Sequence, residues 1–134
     1  MAGRGQPGRS LPWLGGFFVL AGVMHFVRPV PYVGIVPPWL PSGAPLVAVS
    51  GIAEIMGGAG VLVPATRRAA GVGLILLLVA VLPANIYMLT LAIAEAKPGW
   101  WQALLWLRLP FQPLMIWWVW RVAIQPAHPG IHQA

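Results

Sequence analysis

The chain has 134 residues, of which 59% are hydrophobic and only 7% charged. A soluble domain of this size needs a polar skin that this composition does not supply, which excludes an ordinary water-soluble enzyme and leaves lipid as the main surface contact. The net charge of +6 comes from eight basic against two acidic residues. The basic residues gather at the ends of apolar runs, so they read as topology signals rather than as a nucleic-acid surface. Cysteine is absent, which removes disulfide staples, thiolate metal ligands and thiol–disulfide chemistry.

Residues 1–10 form a polar tail carrying Arg4 and Arg9, expected on the cytoplasmic side. Four apolar runs follow, at 11–27, 44–63, 69–93 and 101–123. At a rise of ~1.5 Å per residue, each matches a hydrocarbon core of about 30 Å. Strict alternation of apolar and polar positions is absent, against a β-barrel. The expected fold is all-α, a four-helix transmembrane bundle with a Pro-rich interfacial loop between helices 1 and 2. The first run follows two arginines, as a signal peptide would. It ends in Met24-His25-Phe26 with no small-x-small cleavage site, so retention as a first membrane helix is expected.

The segment from Pro29 to Gly43 holds five prolines beside Tyr32 and Trp39. It is too rich in proline for a regular helix and too apolar for a solvated loop, and is expected to lie in the outer interface above the bundle. Residues 124–134 form a second cytoplasmic tail. Its His128 and His132 have the spacing of a metal pair, but Pro129 and Gly130 between them preclude a helix. No metal site is expected.

Arg4, Arg9, Arg67, Arg68 and Arg121 fall on one side of such a bundle, against Arg28 and Lys97 on the other. This bias places both termini in the cytoplasm. The tryptophans divide similarly, with Trp13, Trp117, Trp118 and Trp120 at the inner interface and Trp39, Trp100, Trp101 and Trp106 at the outer one. Amphipathic rings are favoured at both interfaces.

Glu54 stands near the middle of the second run, and the only other acidic residue is Glu95. An ionisable group at that depth faces a partner or a cavity. The expected partner is Arg108, the one basic residue deep in another run. Traced from the outer face, His25, Glu54, Asn85, Arg108 and Gln112 all fall in the outer half and come from all four helices, with Tyr32 placed to reach down from the loop. Ser50, Glu54, Gly57 and Gly58 share one helical face, where small residues admit a neighbouring helix. Pro83 and Pro110 each free a carbonyl inside a run, near residues 79 and 106, and have Asn85 and Gln112 nearby. Two readings of those amides stay open: ligand contacts, or repair of the two breaks.

An ordered set of motifs carries a family resemblance: His25-Phe26 with Pro29 and Tyr32, Pro38 and Leu40-Pro41, Gly51-x-x-Glu54 with Gly57-Gly58, Pro83-Ala84-Asn85-Ile86-Tyr87-Met88, and Arg108-Leu109-Pro110-x-Gln112. Over about residues 15–121 the chain resembles the DoxX-like family. The resemblance implies a small four-helix integral membrane protein of the bacterial inner membrane. Among the named relatives is a subunit linked to quinone-dependent thiosulfate oxidation, and distant animal relatives are thought to be assembly chaperones. Cysteine-dependent activities of such relatives do not transfer to a chain without cysteine.

The sequence holds no self-contained catalytic constellation. The first functional expectation is a redox accessory that binds a quinone head group non-covalently, with His25, Arg108 and Gln112 toward its oxygens and Glu54 handling a proton. A bis-His haem needs two intramembrane histidines and only His25 qualifies, so electrons would come from a membrane-protein partner. The second is a non-enzymatic assembly factor or structural subunit, alone or as a homo-oligomer, in which the polar cluster fixes helix register. The third is a proton-coupled transporter working through Glu54.

Overall fold

The computed structural model describes residues 7–34, 36–40 and 43–125, with the side chains of Pro7, Gly8, Pro31 and Tyr32 outside the described set. His128 and His132 also lie outside the described residues. All regular structure among those residues is helical: α1 (Pro7–Val27), α2 (Pro29–Gly34), α3 (Gly43–Leu62), α4 (Arg67–Ala94) and α5 (Gly99–Val119), ending in a π-helical turn, Trp120–Ile124. Three of the four long helices are long and apolar enough to cross a membrane, over Arg9–Val27, Gly43–Leu62 and Arg67–Ala94. The fourth, α5, matches them in length, but Gln102, Arg108, Gln112 and two internal prolines make it less apolar. Large apolar side chains such as Leu76, Val79, Leu107 and Leu114 stand exposed on the outside.

The loop expected between the first two long helices contains a helical turn. Prolines are tolerated there because the first residues of a helix have no intrahelical acceptor for their N–H groups, and Pro29 and Pro31 occupy the first turn of α2. Beyond it, the turns Val36 N to Val33 O and Leu40 N to Pro37 O fold the chain back over the bundle.

Two pairs of glycines, each seven residues apart, join α1 to α3. A Cβ on Gly15 would meet the Gly58 carbonyl at 2.8 Å, and one on Gly22 would meet the Gly51 carbonyl at 2.6 Å. The helices therefore run antiparallel with backbone against backbone, an approach that only residues without a side chain allow. Gly57, on the neighbouring face of α3, takes Leu74 of α4 instead, 2.5 Å from where its Cβ would be. Packing of α4 on α5 is antiparallel as well, with Ala123 against Gly71 at one end and Leu89, Ala92 and Leu105 clustered at the other.

The main apolar core lies at the end where α1 and α4 begin. Leu14, Phe18, Val61, Leu74, Met115, Val119, Ala123 and Ile124 form one buried cluster drawn from all four long helices and the π-helical turn. The same end carries Arg9, Arg67, Arg68 and Arg121. There Arg67 Nε donates to Val61 O at 2.8 Å and Thr66 Oγ1 donates to Gly60 O at 2.8 Å. These bonds satisfy carbonyls that the end of α3 leaves without intrahelical partners.

A candidate polar cavity between the helices

The glycine contacts position the site. His25 lies one turn beyond Gly22 on α1, and Glu54 lies between Gly51 and Gly58 on α3, so backbone contact brings the two side chains together. His25 Nδ1 is 3.1 Å from Glu54 Oε2. It is also 2.9 Å from the carbonyl oxygen of Ala21, one turn back on its own helix. His25 Nδ1 thus lies within reach of two oxygens, the Ala21 carbonyl and the Glu54 carboxyl, and Oε2 is buried without a hydrogen-bond partner among the described residues. Buried oxygens are satisfied in the great majority of proteins, so an orphan of this kind asks for a partner.

Glu54 and Arg108, expected to pair, do not form an ion pair. The ion pairs among the described residues are His25–Glu54 and Glu95–Lys97. Arg108 instead rests an NH1 nitrogen 3.7 Å from the Met88 sulfur, a weak acceptor. Both groups nevertheless face one cavity of about 310 Å³, whose polar lining is His25, Ser50, Glu54, Asn85 and Arg108. The rest of the wall is apolar, and Val36, Pro37 and Leu40 of the returning loop contribute to it. Pro37 is wholly buried.

Gln112 has a different job. Its Nε2 donates to Leu78 O on α4 at 2.6 Å, while its Oε1 accepts from Asn85 Nδ2 at 2.9 Å. Pro83 removes the N–H that would otherwise bond the carbonyl of residue 79, yet α4 runs without interruption from Arg67 to Ala94. The α5 amide bonds the carbonyl one residue before the one that Pro83 frees, tying α5 to α4 beside the proline. Asn85 belongs to both structures, since it bonds Gln112 and also lines the cavity.

Of the six expected site residues, four meet in the cavity: His25, Glu54, Asn85 and Arg108. Gln112 stands behind Asn85, and the Tyr32 side chain lies outside the described residues. Sequence reasoning assigned no role to Gly15, Gly22 and Met88, and left Ser50 out of the site. The seven-residue spacing of glycines in both helices was the available signal for the first two. Nothing in the sequence singled out Met88 as the residue facing Arg108.

A family model described as a domain of unknown function, DUF8561, matches residues 14–123. The chain belongs to this family. The DUF8561 match runs from within α1 through the end of α5 and includes every residue lining the cavity. No curated protein and no solved structure matches the chain.

Proposed function

We propose that this DUF8561 protein is a four-span membrane protein, DoxX-like in kind, that binds a quinone-type head group in the cavity as an accessory to a redox partner. In this reading α5 is the fourth span and the basic end faces the cytoplasm of a bacterial inner membrane, with both termini on that side. The observation that carries the proposal is the convergence of Glu54 and Arg108, with His25 and Asn85, on one largely apolar cavity.

The lining fits such a group in chemistry and in size. Cavities from ~300 Å³ upward, mostly apolar with a few convergent polar groups, are the usual form of small-molecule sites. Arg108 offers donors to a carbonyl oxygen, and the Glu54 carboxyl offers an acceptor to a hydroxyl hydrogen, so the two ends of a quinone/quinol couple each find a partner. His25 holds Glu54 in place through the 3.1 Å contact. A bound head group would supply the redox chemistry; the chain's own residues would orient it, exclude water and accept a proton at the Glu54 carboxyl.

The test is mass spectrometry of solvent extracts from protein purified in mild detergent, wild type beside Arg108→Leu. Arg108 is exposed and forms no ion pair, so the variant should fold. A quinone carried only by the wild type supports the proposal. Two equally folded proteins with no retained quinone would overturn it.

A specific observation favours a second reading. The Asn85–Gln112–Leu78 brace is a structural use of polar groups, of the kind a subunit needs to hold its register inside a larger complex. Absence of quinone from both proteins would leave this reading standing and turn the search to membrane-protein partners, a second copy of the chain included.

A further inference from the structure

At the basic end, away from the polar cavity, α4 and α5 line a groove of about 550 Å³. Its floor is apolar, with Val72, Ile75 and Leu76 of α4 facing Ile116 of α5. Its rim is cationic and aromatic: Arg68 on α4, Trp117 and Trp120 on α5. A second guanidinium stands beside the same rim, since Arg121 Cζ lies 5.6 Å from the centre of the Trp117 ring. The π-helical turn Trp120–Ile124 lets Trp120 line the groove while Ala123 packs on Gly71. Such widened turns recur at functional sites.

Among the described residues these cations have no anionic partner. The chain has two carboxylate side chains; Glu54 is against His25, and Glu95 is paired with Lys97 beyond the far end of α4. Neighbouring Arg67 is committed to the Val61 carbonyl, whereas Arg68 has neither a hydrogen bond nor an ion pair among the described residues. Both Arg68 and Arg121 are exposed, so their guanidinium groups are open to an anion at the rim.

We infer that the groove is a binding site for one anionic phospholipid, with its phosphate against Arg68 and Arg121 and an acyl chain along the apolar floor. From Arg68 to Leu76 the groove runs two turns of α4, about 12 Å at ~1.5 Å per residue, so charge and apolar length follow one another as they do in a lipid. Tryptophan rings settle at headgroup depth, which sets Trp117 and Trp120 beside the phosphate. Basic pockets between membrane helices hold anionic headgroups, and each cation near the surface contributes about 1 kcal/mol. This inference rests on the membrane reading and is independent of the quinone proposal at the other end.

Native mass spectrometry of the full chain tests it, in mild detergent supplemented with phosphatidylglycerol or with phosphatidylcholine of the same acyl chains. The wild type should retain one phosphatidylglycerol per chain in preference to phosphatidylcholine. Arg68→Gln should retain about fivefold less, the equivalent of one surface cation, while Arg9→Gln, a cation at the same end but off the groove, should match the wild type. Leu76→Trp, at an exposed position on the floor, should displace the lipid with both arginines intact. Equal retention of the two lipids overturns the inference, as does an equal loss in Arg9→Gln and Arg68→Gln. So does a wild type without lipid, whether the groove then holds inorganic phosphate, another protein's helix or nothing.

Discussion

At the basic end Leu14, Phe18, Val61, Leu74, Met115 and Val119 fill the space between all four long helices, whereas at the depth of Glu54 the same helices enclose a cavity of about 310 Å³. The first region is held by packing. In the second, polar groups and backbone contacts do the holding: the His25–Glu54 approach, the Asn85–Gln112–Leu78 brace and the Gly22–Gly51 crossing. In lipid, apolar side chains gain nothing by leaving water, so helix association rests on close packing and interhelical hydrogen bonds. A bundle that is dense at one end can therefore leave room at the other without coming apart. The dense half fixes the helices, and the open half holds the polar cavity.

The sharpest way to break this division is at the glycines that join the halves. A side chain on Gly22 meets the Gly51 carbonyl at 2.6 Å and the Ile55 nitrogen at 2.9 Å. These are backbone atoms, so neither can give way cheaply. Overpacking typically costs about 1–3 kcal/mol, occasionally more, and Gly22→Leu should reach or exceed the upper figure. Thermal unfolding in detergent should show a large fall in midpoint or no folded protein. Gly16→Leu is the control, because a Cβ there has nothing within 4 Å; it should stay within about 0.5 kcal/mol of the wild type. Equal losses in the two variants would show that glycine spacing does not hold α1 on α3.

A smaller effect is expected from the brace. Gln112→Leu leaves the Asn85 amide without its acceptor and Leu78 O without its extra donor. Interhelical hydrogen bonds in membranes contribute about 1–2 kcal/mol at most, and the loss should fall in that range. Asn85→Leu combined with Gln112→Leu should cost less than the two single losses added, because the variants share one bond. Additive losses would mean that the two amides act separately.

The four long helices were legible from their apolar runs, because length and hydropathy are one-dimensional properties. So was the gathering of His25, Glu54, Asn85 and Arg108, since depth along a helix can be counted from its end. What could not be counted was azimuth. Glu54 contacts His25 rather than Arg108 because Gly22 and Gly51 bring α1 against α3, and Gln112 turns to the Leu78 carbonyl of α4. The α2 turn was missed for a related reason. Proline forbids the interior of a helix but suits its first turn, and composition alone does not distinguish the two.

The smallest change in stability, and the one that separates the two halves most directly, is expected at Ala84. Its side chain lines the cavity from α4, so Ala84→Leu extends into open space where the same enlargement in the dense half would collide. Filling a cavity restores dispersion contacts that its walls lack, which offsets the loss of freedom of the added side chain. Folding should stay within about 0.5 kcal/mol of the wild type, read from the unfolding midpoint. Retention of quinone in the solvent extract should drop sharply, because the added atoms occupy the head-group space while leaving Glu54, His25 and Arg108 unchanged. A folded variant that keeps its quinone would place the ligand elsewhere. A variant that fails to fold would show that the cavity end is packed as tightly as the basic end, and the contrast between them would be lost.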